Sequence, residues 1–102
     1  MKRDDILAVL RAHESELRAA GVAGLSLVGS AARADADVTS DLDLLVRLED
    51  DPARNGFAYF GFIDRLVRRL EAIVHRPVDV IAEPVRKPGL RREIERDRVV
   101  AF

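Results

Sequence analysis

A chain of 102 residues with 48% hydrophobic side chains carries one modest core, which excludes disorder and leaves no length for a separate acceptor-binding domain. Seventeen Lys and Arg against 18 Asp and Glu give a net charge of −1, so there is no global pull toward nucleic acid or a membrane surface. Cysteine is absent, which excludes disulfides and thiolate chemistry and is compatible with a cytoplasmic protein. No apolar run approaches a membrane span, and the opening MKRDDILAVLRAHE lacks the uninterrupted core of a signal peptide.

The expected unit is a single domain over residues 1–102. Asp4 or Asp5 opens a first helix, where their charges suit the positive end of the helix dipole. Ile6, Leu7, Leu10 and Leu17 recur at helical spacing, and Gly21 is the expected stop. Val22 to Val28 reads as a strand, and a short helix follows over Ser30 to Ala34. A polar loop leads to a second strand, Leu42 to Leu48, and Glu49-Asp50-Asp51-Pro52 reads as a solvated turn. Phe57 to Val74 is the longest helix. Its stripe is Phe57, Phe60, Ile63, Leu66, Val67, Leu70, Ile73 and Val74. The aromatic residues Phe57, Tyr59, Phe60 and Phe62 are too dense for one core face, so packing across helix and loop is expected, with part of the patch open to a partner. His75 stands at the end of that helix, where a cation is favoured. PVDVIA, Pro77 to Ala82, is a third strand. Pro88 suits the first turn of a last helix, Gly89 to Asp97, with Leu90 and Ile94 as its apolar contacts. Val99, Val100 and Phe102 pack down as a terminal strand or tail.

The chemistry concentrates in GSAARADADVTSDLDLLV, Gly29 to Val46. Leu42, Leu44, Val46 and Leu48 alternate with Asp41, Asp43, Leu45 and Arg47, the pattern of a strand with one buried face. Side chains at i and i+2 point the same way, so Asp41 and Asp43 share the face opposite the Leu/Val row. At roughly 5 Å and an effective dielectric of about 20, their repulsion is on the order of 3 kcal/mol. Protonation of one carboxylate, or a bound cation, relieves it. Hard oxygen ligands left partly open suit Mg²⁺ or Mn²⁺ shared with substrate phosphates. Gly29 lets the backbone turn and lets a ligand approach. The amides after it, the Ser30 hydroxyl and the Arg33 guanidinium are candidate phosphate donors. Asp79 lies between Val78 and Val80, with the same parity as the D-x-D strand. If the two strands are neighbours, it joins Asp41 and Asp43 on one surface. A D-x-D alone also occurs in solvated loops, and a Gly-Ser pair alone is commonly a turn. Their order between two apolar strands is the informative part.

The spacing G-S-x(10)-D-x-D, carried by Gly29, Ser30, Asp41 and Asp43, resembles the signature of the DNA polymerase β nucleotidyltransferase superfamily. The short length, Arg33 after the Gly-Ser pair and Ser40 before the first Asp resemble its minimal nucleotidyltransferase (MNT) branch. The resemblance spans about Ile6 to Val99. It departs at Ala34, where the family often has Gly. It implies an α/β nucleotidyltransferase fold: a small mixed sheet of three or four strands, helices packed on the Leu/Val face, and the aspartates on the open face. It also implies catalytic and metal roles for Asp41, Asp43 and Asp79, a nucleotide site at Gly29, Ser30, Arg33 and Ser40, two Mg²⁺ ions, and ATP as substrate. The implied activity is transfer of AMP to a hydroxyl. Small MNT proteins are often antitoxin partners of HEPN-domain ribonuclease toxins, and some adenylylate a tyrosine on the toxin. The expectation is therefore protein adenylylation within such a toxin–antitoxin pair, as an oligomer with the partner. A binding-only antitoxin that works by occlusion and transfer to a small molecule are the competing readings. Receiver or dehalogenase-type phosphotransfer fits worse, because the only Lys residues are Lys2 and Lys87 and the only Thr is Thr39.

Overall fold

The computed structural model describes residues 2–33, 41–49 and 57–102, with side chains from Tyr59 onward in the last segment. The elements run α1 (Arg3–Ala12), α2 (Glu14–Ala19), β1 (Val22–Val28), α3 (Gly29–Ala32), β2 (Leu42–Leu48), α4 (Phe57–Val74), β3 (Val78–Ala82), α5 (Pro88–Asp97) and β4 (Val99–Val100). The four strands form one mixed sheet in the order β3-β2-β1-β4. β1 pairs antiparallel with β2 and with β4, whereas β2 and β3 run parallel. Two parallel neighbours need a crossover, and α4 supplies it.

The expected first helix is two helices. At His13 a ring nitrogen lies 2.9 Å from the Val9 carbonyl oxygen, the acceptor that an unbroken helix would offer to the His13 N–H. That N–H donates instead to Leu10 O at 3.1 Å, and the chain restarts as α2. The N-terminus also begins earlier than expected, at Arg3, with the Lys2 N–H donating to Asp5 Oδ2.

The main core lies between α1, α2, α3, α4 and one face of the sheet. Leu10, Leu17, Leu27, Leu42, Leu44, Val46 and Leu70 are fully buried there. In α4 the buried positions are Leu66, Leu70, Ile73 and Val74, with Phe62 packed beside them. That spacing follows the 3.6-residue period from Phe62, so Phe60 falls off the stripe and is 70% exposed. Its ring meets Tyr59 at 5.6 Å between centroids.

β1 serves both faces. A bulge at Ala23, where two β1 residues oppose one of β2, shifts the parity so that Val22, Leu25 and Leu27 all reach the main core. The Ala23 carbonyl accepts from Arg18 Nη1 at 3.1 Å and Arg47 Nη2 at 3.4 Å. Ser26 and Val28 face the other way. There α5 packs on the aspartate-bearing side, with Ile94 buried against Val28 and Leu45, and Ile81 and Val85 around them. The aspartate face, expected to be open, is thus partly roofed by the last helix, because Ile94 buries itself there. Leu90, expected as a second contact of α5, is 37% exposed.

Candidate active site

Three neighbouring strands deliver the site. Asp43 sits in β2, opposite Val28 of β1 on one side and Asp79 of β3 on the other. Asp41 precedes β2 by one residue and shares the face of Asp43. Asp41 and Asp79 are exposed, and Asp43 is half-buried. Burial first, then the charges of Asp79 and Asp41, push the Asp43 carboxyl above its usual range. Asp79 and Asp41 are thus close enough to oppose ionisation of the central carboxylate.

Gly29 forms the wall beside Asp43. Its φ of +69° lies in the left-handed region, and a Cβ built on it would stand 2.6 Å from Asp43 Oδ2. Only glycine lets the carboxylate lie against that turn without strain or displacement. Ser30 follows in the first turn of α3 and is half-buried. This four-residue helix is held by burial of Ala31 and Ala32 in the main core and by Arg3 Nη1, which donates to Ala32 O at 3.0 Å. Arg33 ends the turn: its N–H donates to Gly29 O, and its Nη1 donates to Asp97 Oδ2 at 2.8 Å. Ser40 lies outside the described residues, as do Ala34, Asp50 and Asp51.

Among the described residues, no three acidic or histidine side chains are drawn into a ready-made metal cage. Mg²⁺ seldom needs one. It binds through one or two carboxylates, with water and substrate phosphates completing its shell. The raised affinity of Asp43 for a proton marks a place where positive charge is favoured, and the donor set there is oxygen only. These residues fit a hard divalent ion shared with a phosphate chain.

The match to known proteins agrees with this geometry. Residues 7–101 fit the family model described as a nucleotidyltransferase domain. The chain belongs to the nucleotidyltransferase domain family. As a nucleotidyltransferase, it is 33% identical over 97 residues to protein adenylyltransferase MntA of Thermococcus cleftensis, covering 94% of this chain and 92% of the relative. A solved minimal nucleotidyltransferase superposes with a TM-score of 0.74 at 30% identity, over 97% of this chain and 95% of that one. An MntA–HpeT toxin–antitoxin structure shares the fold, with a TM-score of 0.64 at 15% identity over 100% of this chain and 73% of that one. A toxin–antitoxin structure solved with AMP-PNP has a TM-score of 0.63 at 16% identity over the same shares. The expected fold, a mixed α/β sheet of the nucleotidyltransferase type, is therefore met, and a nucleotide is the substrate class.

Sequence reasoning missed Asp97, a partner of Arg33, and the pair that anchors α5, Arg98 Nε donating to Ser26 Oγ at 2.8 Å. Nothing local signals contacts across 64 and 72 residues. Arg91 and Arg92 make contacts within α5: Arg91 pairs with Glu95, and Arg92 Nε donates to Pro88 O. Farther along the aspartate face, a cleft of about 520 Å³ opens between α5 and the ends of β2 and β3, lined by Leu45, Arg47, Glu83, Ile94 and Arg98 among others. None of the three aspartates lines it. No helix among the described residues is long and apolar enough to cross a membrane.

Proposed function

We propose that this nucleotidyltransferase moves AMP from ATP to a protein hydroxyl, a tyrosine of a HEPN-type toxin, and acts as that toxin's antitoxin. The observation that carries the reading is the register of Asp43 with Asp79, together with the close approach of the Asp43 carboxylate to Gly29. The relative named protein adenylyltransferase and the fold neighbours named as toxin–antitoxin complexes support the protein acceptor and the toxin partner.

The strand order supports a division of the reaction into two sides. Gly29, at the end of β1, and Asp79, in β3, flank Asp43 from opposite directions. An in-line displacement needs the leaving group and the attacking oxygen on opposite sides of phosphorus. Gly29, Ser30 and Arg33 therefore take the β- and γ-phosphates, and Asp79 faces the acceptor. Asp41, Asp43 and Asp79 are the ligand set for two Mg²⁺ ions, which when bound neutralise the triphosphate and lower the pKa of the acceptor hydroxyl. The acceptor oxygen forms a bond to the α-phosphorus as the bond to the bridging oxygen breaks, releasing pyrophosphate. Asp79 takes up the acceptor's proton. Arg33 offsets charge on the departing pyrophosphate.

A second reading, neutralisation by binding alone, draws on the exposed Phe60 with Tyr59 beside it. Label transfer separates the two. The protein is incubated with Mg²⁺ and ATP labelled at the α-phosphate, with and without lysate of its source cell, beside an Asp43→Asn control. A labelled protein band that the control lacks is the expected outcome. No band from any of the four NTPs, with folded protein, would overturn protein nucleotidylation and leave occlusion or a small-molecule acceptor.

A further inference from the structure

We infer that Asp97 is a positioning residue, which holds the Arg33 guanidinium at the Gly29–Ser30 turn for the phosphates of the nucleotide. The inference rests on the phosphate role proposed above for Arg33 and extends the nucleotide site onto α5, an element that the Gly-Ser and D-x-D pattern does not include.

The contact is short and its two ends differ in exposure. Arg33 Nη1 donates to Asp97 Oδ2 at 2.8 Å, with the Arg33 side chain 44% exposed and that of Asp97 only 9%. An anchored carboxylate thus holds a cation that still faces solvent. Asp97 is itself fixed from its other flank: Arg96 Nε donates to Oδ1 and Arg96 Nη2 to Oδ2, each at 3.1 Å. The hydrogen bond from Arg96, aided by that from Arg33, keeps the Asp97 carboxyl below its usual range, so it stays ionised at neutral pH.

The helix that carries Asp97 is pinned on both sides of it. Ile94 is buried against Val28 and Leu45, the residues flanking the site in β1 and β2. Arg98 Nε donates to the buried Ser26 Oγ at 2.8 Å and pairs with Glu83 through Nη1 at 3.4 Å. Asp97 therefore stands at a fixed place relative to Gly29 and Asp43. Arg33 is tied to the same turn from within, through its N–H to Gly29 O. Ion pairs near the surface add little stability. Fixing a long, rotamer-rich side chain before its ligand arrives lowers the entropy lost on binding, and a guanidinium fork gains more from a set orientation than a point charge does.

The test measures ATP affinity by calorimetry in Mg²⁺ for the full chain, with melting temperature alongside. Arg33→Ala is expected to weaken ATP binding about tenfold and Asp97→Asn about fivefold, while Asp97→Glu recovers most of the loss. In the Arg33→Ala background, Asp97→Asn should change affinity by less than about twofold, because the interaction it supports is already gone. The inference is overturned if Arg33→Ala weakens binding and Asp97→Asn does not, or if the two losses multiply in the double variant, as a general structural role would require. If Arg33→Ala leaves ATP affinity unchanged, the phosphate role of Arg33 itself fails, and positioning by Asp97 falls with it.

Discussion

The two faces of β2 are built to opposite rules. On one, Leu42, Leu44 and Val46 are fully buried beneath α1 and α4, and each contributes only cohesion. On the other, Asp43 is held half-buried beside Asp79 and below Asp41, an arrangement that raises its proton affinity. One strand thus supports a stable core and a deliberately uncomfortable site, separated by the thickness of a backbone. Residues that stabilise and residues that react need not be remote. They need only alternate in parity.

The largest expected effect breaks the reactive face. Asp43→Asn should cut nucleotidyl transfer on the order of 1,000-fold, because it removes a carboxylate that faces both phosphate and cation. The same substitution should stabilise the fold at neutral pH. A carboxyl whose pKa is raised by folding binds its proton more tightly in the native state, so stability falls as pH rises from the ordinary value of 3.8 through the raised one. The gain in melting temperature from Asp43→Asn should therefore be full above that window and vanish below it, which a melting series across pH checks. An unchanged melting temperature at pH 7 would mean that the three carboxylates do not strain one another.

Breaking the cohesive face comes next. Leu44→Ala should cost about 2–5 kcal/mol in denaturant unfolding, by lost burial and by the cavity left under α4. Under conditions where the variant is folded, its ATP affinity should stay close to that of the parent, since Leu44 points away from Asp43. A matching loss of ATP binding would show that the faces are coupled. The smallest effect falls on the seam between them. Gly29→Ala should cost about 1–2 kcal/mol from the left-handed backbone alone. The added methyl must also push Asp43 Oδ2 aside, so the rise in melting temperature that Mg²⁺ confers on the parent should shrink in this variant.

The sheet was largely legible in the sequence because its signals are local. Alternation over Leu42 to Leu48 announced β2 and put Asp41 and Asp43 on one face, and the same parity at Asp79 needed only the β2–β3 pairing to bring it beside Asp43. Features that depend on side chains reaching across the chain were not legible. The break at His13 comes from a ring nitrogen taking a backbone acceptor. Phe60 is apolar yet off the buried stripe of α4, which becomes clear only once Phe62 and Leu66 fix the phase of the helix. The roof that α5 forms over Val28 and Leu45 was hidden for a related reason: Leu90 and Ile94 mark an apolar side of the helix but not which face of the sheet it covers. The Arg33–Asp97 contact depends on that roof, so it was hidden twice over.

The grip of Arg11 on the last strand has a bearing on how the chain assembles. Its Nε donates to Ala101 O at 2.8 Å and its Nη2 to Val100 O at 3.0 Å, which ties the first helix to residues 90 and 89 positions later. Contacts of such separation demand loop closure before they return any free energy, and they slow folding. On a ribosome, α1 emerges early and must wait for nearly the whole domain before Arg11 meets its acceptors. The sheet edge formed by β4 is thus laid down after β1, β2 and β3, and β1 stays unpaired along that edge until synthesis has passed Val100.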